Sequence, residues 1–405
     1  MSVRIQSIRL NIFLLILLFT GLSGNGLAAR YVIAEDSSVI GEVQVIEADP
    51  RETLVDMARR FGLGYDELKA ANPDVDLWVP KKGQKIVLPT RYVLPDYPRE
   101  GVIVNLAEMR LYYFPNEATG EKVVFTYPIG IGREGWNTPT GLTKIVQKTE
   151  NPSWTVPESI LAEHKASGDP IPKVFPPGPD NPLGAHAMRL GIPGYLIHGT
   201  NKPSGVGMRV SHGCIRMYPE DIAHVFELTD KGTQVAIIDE PYKVGYDKQQ
   251  MFLEVHLPIE KDLSKPVNDL SSIVKGLVSM TGAPVSEELW ARSNKIIKEN
   301  SGLPEVLGKL PENVATRPAW FVQLGEFHST QGAKRMATFF SGLKVATLLG
   351  AAPNNGYCRV LAGPYTLKSK AEGQLRKIQS RTGIQGLLLP KMQAQDIPHC
   401  SPQLN

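Results

Sequence analysis

The segment from Ile197 to Arg216 constrains this chain more than any other stretch, because it combines one cysteine with two histidines among glycines. It reads Ile197-His198-Gly199-Thr200 and, after a gap, Ser211-His212-Gly213-Cys214-Ile215-Arg216. A free thiol has a pKa of about 8.5, so a nucleophilic Cys214 needs an imidazole to take its proton. His198 is the candidate base, and a fold that uses the pair must bring the two stretches together. Gly199 and Gly213 would let backbone amides approach a reacting carbonyl.

Other chemistries could use the same residues. Zinc could be bound by His198, His212 and Cys214, but the chain lacks closely spaced ligand pairs such as C-x-x-C or H-E-x-x-H. A redox role is disfavoured because the other cysteines, Cys358 and Cys400, lie far along the chain. A domain that has lost its activity is a further alternative, although no residue of the pattern is missing.

Residues 100 to 240 resemble the L,D-transpeptidase catalytic domain, the YkuD family. That family's signature is an upstream His, a gap, and Ser/Thr-His-Gly-Cys with Arg or Asn two residues further on, and here the gap runs from Gly199 to Val210. Thr138-Pro139-Thr140-Gly141 matches the family's Thr-Pro-x-Gly turn. The apolar stretch from Val123 to Ile131 is predicted to be a strand that precedes a glycine-rich loop. The resemblance implies a β-rich catalytic domain.

The resemblance also implies a role for each residue. It assigns catalysis to Cys214, His198, Gly199 and Gly213, and substrate binding to His212, Arg216, Ser211 and Thr138. Cys214 would attack the carbonyl of the third residue of a peptidoglycan tetrapeptide stem and form a thioester, without metal or other cofactor. The Gly199 carbonyl would hold the tautomer of His198, and amides around Gly213 would stabilise the oxyanion. The acceptor stays open between diaminopimelate of a second stem, the lysine of an outer-membrane lipoprotein, and water, which would make the protein an L,D-carboxypeptidase.

The segment from residue 41 to 90 is predicted to be a small βααβ module. One helix begins at Thr53-Leu54, with Leu54, Met57, Ala58 and Phe61 on one face, and a second runs from Tyr65 to Ala71 and stops at Asn72-Pro73. The pattern resembles a LysM module, a family that binds N-acetylglucosamine-containing glycans. It departs from that family where Pro50-Arg51-Glu52 replaces the usual Gly-Asp.

The C-terminal part is predicted to hold two further regions. Residues 241 to 317 are interpreted as a helical extension and linker, with a helix from Ser286 to Glu299 followed by prolines. Residues 318 to 393 show the order strand, helix, strand, helix, strand. Val322-Gln323-Leu324-Gly325 and the strand from Arg359 to Tyr365 resemble the marked strands of a SPOR domain, a family that binds peptidoglycan stripped of stem peptides.

The N-terminus predicts export. Arg4 and Arg9 precede an apolar run from Leu10 to Leu18, and small residues after the run lead to a cleavage site near Ala28 or Ala29. Residues 1 to 29 are therefore predicted to be a signal peptide for the periplasm, with an uncleaved anchor as the alternative. In that oxidising space the three cysteines allow one disulfide. If Cys214 is free, Cys358 pairs with Cys400, although two unpaired thiols are equally compatible with the sequence.

Length and composition limit the number of domains and the kinds of partner. With 405 residues, 42% hydrophobic and 21% charged, the chain can form about three modest domains. A net charge of +3 gives no argument for nucleic acid, and a pI near 8.5 mildly favours contact with anionic envelope polymers. Trp136, Trp154 and Tyr195 could line a peptide cleft. The predicted architecture is multidomain α+β, and the predicted partners are stem peptides, glycan strands and a possible lipoprotein acceptor. A wall-binding scaffold with an inactive catalytic domain is the alternative to an enzyme.

Overall fold

The structure is a computed structural model that describes residues 29–34, 37–115, 121–259, 270–281, 284–310, 319–343, 345–351, 357–365 and 368–392. The predicted signal segment up to residue 28 and Cys400 lie outside the described residues. Cys214 is free, and Cys358 is disulfide-bonded. Among the helices of the described part, none has the length and apolar character needed to cross a bilayer.

The helices are α1 Leu54–Arg60, α2 Tyr65–Ala71, α3 Glu158–Ala166, α4 Pro219–Leu228, α5 Ser271–Thr281, α6 Glu287–Glu299, α7 Thr330–Gly342 and α8 Lys368–Thr382. The strands are β1 Ala29–Val32, β2 Val39–Gly41, β3 Gln44–Glu47, β4 Lys85–Leu88, β5 Arg91–Val93, β6 Gly101–Asn105, β7 Arg110–Phe114, β8 Val123–Pro128, β9 Ile131–Gly132, β10 Gly141–Glu150, β11 Trp154–Thr155, β12 Val174–Phe175, β13 His186–Leu190, β14 Leu196–His198, β15 Arg209–Ser211, β16 Ile215–Arg216, β17 Gln234–Ile238, β18 Tyr242–Asp247, β19 Gln250–Val255, β20 Glu305–Lys309, β21 Ala319–Phe327, β22 Thr347–Ala351, β23 Cys358–Tyr365 and β24 Leu387–Met392.

A nine-stranded sheet forms the centre of the molecule, in the order β1-β8-β7-β6-β17-β10-β13-β14-β16. Strand β6, near the middle of this sheet, is apolar on both faces because both of its faces are covered. Val102 and Val104 of β6 face a core that includes Ile222 and Val225 of α4. The alternate residue Ile103 faces a second core that contains Tyr92. The predicted strand from residue 123 to 131 is divided, since β8 ends at Pro128 and β9 pairs separately with β15.

The N-terminal module has the predicted βααβ order, with β3 and β4 paired antiparallel and α1 and α2 between them. Thr53 begins α1 with a reciprocal capping box to Asp56. The module's own core contains Leu54, Met57 and Ala58, which share one face of α1 as the sequence predicts. Asn72, the residue after α2, is buried and its side chain bonds to both Leu68 and Val87 backbone groups. The helix end and the strand are thereby fixed together.

This module packs directly against the loop that connects β14 and β15. The backbone N–H groups of Tyr65 and Asp66 donate to the carbonyls of Val206 and Gly207, at 3.3 and 3.1 Å. Gly207 has φ +79°, and a Cβ there would lie 2.3 Å from the Cα of Gly64. Because only glycine fits both the backbone and the contact, the first turn of α2 can rest on this loop.

The prediction of a helical extension and linker for residues 241 to 317 leaves out three strands that follow the central domain. Strands β18, β19 and β20 form an antiparallel three-stranded sheet, and α5 and α6 pack on it. Tyr242 and Tyr246 of β18 are both buried, and Lys248, in the turn that leads to β19, has φ +51°. The helix predicted from Ser286 is present, with Ser286 as its N-cap.

The C-terminal domain is a four-stranded sheet in the order β22-β23-β21-β24, with α7 and α8 packed on it. Its helices α7 and α8 lie where the sequence predicts helices, whereas the sequence does not predict strand β22. Helix α8 also approaches the central domain, since a Cβ added at Gly373 would lie 3.2 Å from the Cβ of Pro98. The C-terminal domain therefore contacts the segment that precedes β6.

Candidate active site

Two short parallel strands bring the predicted histidine and cysteine together. Strand β14 pairs with β16 so that Ile197 lies opposite Ile215 and His198 lies opposite Arg216. Cys214 is the residue immediately before β16, so the same register places it level with Leu196, two residues before His198 on β14. Gly130 lies on the opposite edge of β16 from β14, because its N–H and C=O both bond to the backbone of Arg216 at 2.8 Å. Hydrogen bonds thus fix the backbone on both sides of the cysteine.

His198 is buried, with 4% of its surface exposed, and its Nδ1 lies 2.6 Å from the carbonyl oxygen of Gly199. A carbonyl can only accept, so Nδ1 carries the proton and Nε2 keeps its lone pair. Burial lowers the pKa of His198 to about 3, with help from the charge of Arg216 and against the hydrogen bond to Gly199. The imidazole is therefore neutral at physiological pH and able to accept a proton at Nε2.

The Cys214 thiol is partly buried and donates to the Gly194 carbonyl at 3.7 Å. Burial raises the pKa of the thiol, while a hydrogen bond to the Leu196 backbone and the charge of Arg216 oppose the increase. The resting site accordingly holds a neutral thiol and a neutral imidazole. Proton transfer then has to accompany attack on a substrate, rather than precede it as in a permanent thiolate.

Ser211 and Thr138 lie inside the cysteine loop instead of facing outward. The buried Ser211 hydroxyl accepts from the Gly213 N–H at 3.1 Å and donates to the Cys214 carbonyl at 2.6 Å. The buried Thr138 hydroxyl accepts from the Gly132 N–H at 3.2 Å and donates to the Gly213 carbonyl at 2.8 Å. Both side chains, which the sequence assigned to the substrate, hold the backbone around Cys214 in place.

Gly213 has a conformation that other residues rarely adopt, with φ +102°. A Cβ at this position would lie 2.9 Å from the ring of Tyr195. The Tyr195 hydroxyl donates in turn to the Asn137 carbonyl at 3.4 Å. Tyr195 therefore stands beside the cysteine loop, as predicted for a cleft residue, whereas Trp154 stacks on Phe175 with a centroid distance of 5.6 Å.

His212 belongs to a cluster that the sequence did not reveal, formed with Arg133, Glu163 and Trp136 and named here the His212 cluster. Its Nε2 lies 3.2 Å from Glu163 Oε2 and 3.2 Å from an Arg133 nitrogen. Arg133 also forms an ion pair with Glu163, and Trp136 packs edge-on to the imidazole at 4.9 Å. Burial lowers the pKa of His212, and the charge of Glu163 opposes this effect. Glu163 lies on α3, in a stretch that carries no recognisable motif.

Arg216 directs a partly buried guanidinium toward this centre. Burial lowers its pKa, and the nearby Cys214 opposes the decrease. Within the described part of the chain, its Nε is buried and has no hydrogen-bond partner. A buried unpaired donor next to the nucleophile is suited to an anionic group of a ligand.

The residues considered for zinc do not form a ligand cluster. Among the described residues, one group of three potential ligands lies close together, and it consists of Glu108, Glu254 and His256. The Lys243 ammonium already fills that group, at 2.6 Å from Glu108 and 2.7 Å from Glu254. This cluster is a buried ion network between the central sheet and the β18–β19 hairpin.

Comparison with known proteins agrees with this geometry. The family model of the YkuD L,D-transpeptidase catalytic domain matches residues 99–237, and that of the SPOR domain matches residues 316–390. The probable L,D-transpeptidase YbiS of Escherichia coli K12 is 37% identical over 296 residues, which cover 70% of this chain and 94% of that protein. The probable L,D-transpeptidase YcfS of the same strain is 43% identical over 234 residues, which cover 56% and 72%. A probable L,D-transpeptidase of Salmonella typhimurium LT2, ErfK/SrfK, is 35% identical over 280 residues, which cover 67% and 88%. The chain therefore belongs to the L,D-transpeptidase family and carries a C-terminal SPOR domain.

Proposed function

We propose that this L,D-transpeptidase works in the periplasm on peptidoglycan tetrapeptide stems, with Cys214 as nucleophile and His198 as general base. The observation that supports the proposal is the pairing of β14 with β16, in which His198 lies opposite Arg216, two residues from Cys214, while the Gly199 carbonyl fixes the tautomer of His198. In the first half-reaction, Sγ attacks the carbonyl of the third stem residue and its proton passes to His198 Nε2. The same proton then goes to the leaving amine of the terminal D-alanine, and a thioester remains.

The oxyanion of this step needs backbone donors near Cys214. The Gly213 N–H is bound to Ser211, so we assign the main donation to the N–H of Cys214 itself. Loss of one such donor typically costs about 10²–10³ in rate. Ser211 and Thr138 contribute by holding this loop, and Arg216 supplies a guanidinium for a carboxylate of the donor stem.

The second half-reaction transfers the acyl group to an amine, either diaminopimelate of another stem or the lysine of an outer-membrane lipoprotein. Transfer to water would make the enzyme an L,D-carboxypeptidase. Incubation with tetrapeptide muropeptides distinguishes these outcomes, because dimeric product supports crosslinking and tripeptide alone supports hydrolysis. A lysine-containing peptide from an outer-membrane lipoprotein, added as a competing acceptor, tests the anchoring reaction. Absence of any thioester and any product would contradict the proposal.

We further propose that the N-terminal module is a LysM-like glycan-binding unit. Trp78 and Val79 are 66% and 68% exposed, which is unusual for large apolar side chains. Asp76 accepts from both of their backbone N–H groups at 2.9 Å and holds the turn that presents them. We expect Trp78→Ala to weaken retention on purified glycan strands. Leu142→Ala, at an exposed apolar residue outside the module, is the control, and equal effects of both substitutions would refute the assignment.

A further inference from the structure

The His212 cluster resembles the His198 site in one respect, because each imidazole has one nitrogen fixed by a neighbouring oxygen. For His198 that oxygen is the Gly199 carbonyl, and for His212 it is the Glu163 carboxylate. Glu163 lies on α3, between β11 and β12, and reaches the loop that carries Cys214. Nothing in the first half-reaction described above requires this second histidine and carboxylate.

The tautomer of His212 follows from what its partners can do. An ionised carboxylate only accepts hydrogen bonds, and a guanidinium only donates them. Glu163 accepts from Arg133 through their ion pair, and its Oε2 faces His212 Nε2 at 3.2 Å. An Arg133 nitrogen lies equally close to Nε2, at 3.2 Å, but Arg133 already donates to Glu163 Oε1. We therefore take the carboxylate as the partner that sets the tautomer and assign the proton on neutral His212 to Nε2, donated to Glu163. Nδ1 then carries the lone pair and is the nitrogen able to take a proton.

The chemistry of transfer calls for such a group. An alkyl amine acceptor arrives as an ammonium at neutral pH, so it must lose one proton before attack and a second after attack. In balance, the ammonium and the thioester give an amide, the free thiol of Cys214 and one released proton. His198 can take the proton that returns to the thiol, but the other proton needs a different acceptor. Hydrolysis lacks this requirement, because water attacks the thioester with only one proton to transfer.

We propose that His212, oriented by Glu163, takes the first proton from the alkyl ammonium acceptor and releases it to solvent. This inference rests on the proposed function, and it assigns Glu163 as a positioning residue for the second half-reaction. The carboxylate also keeps a negative charge where the ammonium must approach, although Arg133 offsets part of it. His164, whose ring centroid is 6.5 Å from that of His212, is the other titratable group that faces the imidazole. The site thereby favours amines over water.

The test separates transfer from thioester formation. Glu163→Gln and Glu163→Asp are compared with Glu158→Gln, an exposed carboxylate in the first turn of the same helix. Intact mass spectrometry follows the thioester, and chromatography measures the ratio of aminolysis to hydrolysis with tetrapeptide muropeptides. Diaminopimelate-containing stems and a lysine peptide serve as separate acceptors, which shows whether one or both ammonium sources use the site. Hydroxylamine, which is unprotonated at neutral pH, serves as the third acceptor.

We expect Glu163→Gln to lower the ratio of aminolysis to hydrolysis by at least about tenfold with ammonium acceptors, in line with the usual size of general-base effects. The ratio with hydroxylamine should change little, Glu163→Asp should restore part of the loss, and Glu158→Gln should match the wild type. An equal loss with hydroxylamine and with the ammonium acceptors would overturn the inference, as would an unchanged ratio. Loss of the thioester in Glu163→Gln alone would place Glu163 in the first half-reaction and also overturn it. Absence of a thioester in the wild type would instead contradict the proposed function.

Discussion

Replacing Glu67 by Gln tests whether the N-terminal module is built into the active site. Glu67 on α2 forms an ion pair with Arg110 of β7 at 2.5 Å, and the Arg110 side chain is 1% exposed. Arg110 also lies over the Tyr92 ring at 4.2 Å and donates to Thr126 at 3.1 Å. Burial lowers the pKa of Arg110, but the charges around it, chiefly that of Glu67, more than offset the decrease. The substitution would leave a buried guanidinium without its counter-charge.

The expected loss of folding stability in Glu67→Gln follows from these contacts. Removing one partner of a buried ion pair costs about 3–5 kcal/mol, because the remaining charge stays out of water. Glutamine keeps one oxygen as an acceptor, and Thr126 and Tyr92 remain in place, so we expect a loss below that range, about 2–3 kcal/mol. Glu67 also accepts from the Gly64 N–H at 2.9 Å, at the start of the helix that touches Val206 and Gly207. The loop between His198 and Cys214 should therefore loosen as well.

Urea denaturation measures the stability change, and hydrogen exchange at residues 62–68 and 203–207 shows where it acts. We expect faster exchange in both segments and slower thioester formation in Glu67→Gln. Glu52→Gln, which breaks the exposed pair between Glu52 and Arg60 in the same module, is the control and should behave as the wild type. If Glu67→Gln is no less stable than the control, or if exchange changes in the module alone, the coupling between module and loop does not exist.

Three further substitutions have defined outcomes. Lys243→Met removes the ammonium group that pairs with the buried carboxylates of Glu108 and Glu254. We expect it to lower the free energy of unfolding by about 3–5 kcal/mol, measured by urea denaturation at pH 7. A loss below about 1 kcal/mol would show that the network is not charged. Burial raises the pKa of Asp221 to about 8, so the folded state keeps a proton that the unfolded chain loses near pH 3.8. The stability contributed by this group therefore falls as pH rises from about 4 to about 8. The gain in melting temperature of Asp221→Asn over the wild type should therefore be larger at pH 8 than at pH 5, and a constant gain would refute the shift. Gly213→Ala should slow thioester formation by at least about tenfold at a stability cost of about 1–3 kcal/mol, because φ at this position is +102°; wild-type rates would show that the loop tolerates a side chain.

Much of the fold follows from local signals in the sequence. The helices α1 and α2 have clear apolar faces, a capping box and an Asn-Pro stop, and each of these acts within a few residues. Strand β22, by contrast, is a short apolar run without a polar alternation, and it is recognised as a strand only through its antiparallel pairing with β23. The hairpin of β18 and β19 is buried along most of its length and does not alternate in burial, so it carries no period-2 signal, and the prolines and helical patterns nearby favour a linker.

In the candidate site, too, the features set by the local sequence could be predicted and those set by tertiary contacts could not. His198, Gly199 and Cys214 stand in a compact pattern, so their proximity could be predicted. The pattern gives residue types but not directions, and Ser211 and Thr138 proved to point into the loop rather than out of it. The contact between Glu163 and His212 joins residues 49 positions apart in the chain, so it depends on the tertiary placement of α3. Nothing in the local sequence around Glu163 marks that contact.

Peptide mapping of the acylated enzyme tests the central claim most directly. Wild-type enzyme, Cys214→Ala and His198→Ala are mixed with a tetrapeptide muropeptide, quenched in acid and digested for mass spectrometry. The account predicts that the acyl group without its terminal D-alanine is attached to the peptide containing Cys214. It also predicts no adduct in Cys214→Ala and a much slower one in His198→Ala. Turnover retained by Cys214→Ala, or an adduct on another residue of the wild type, would contradict the account.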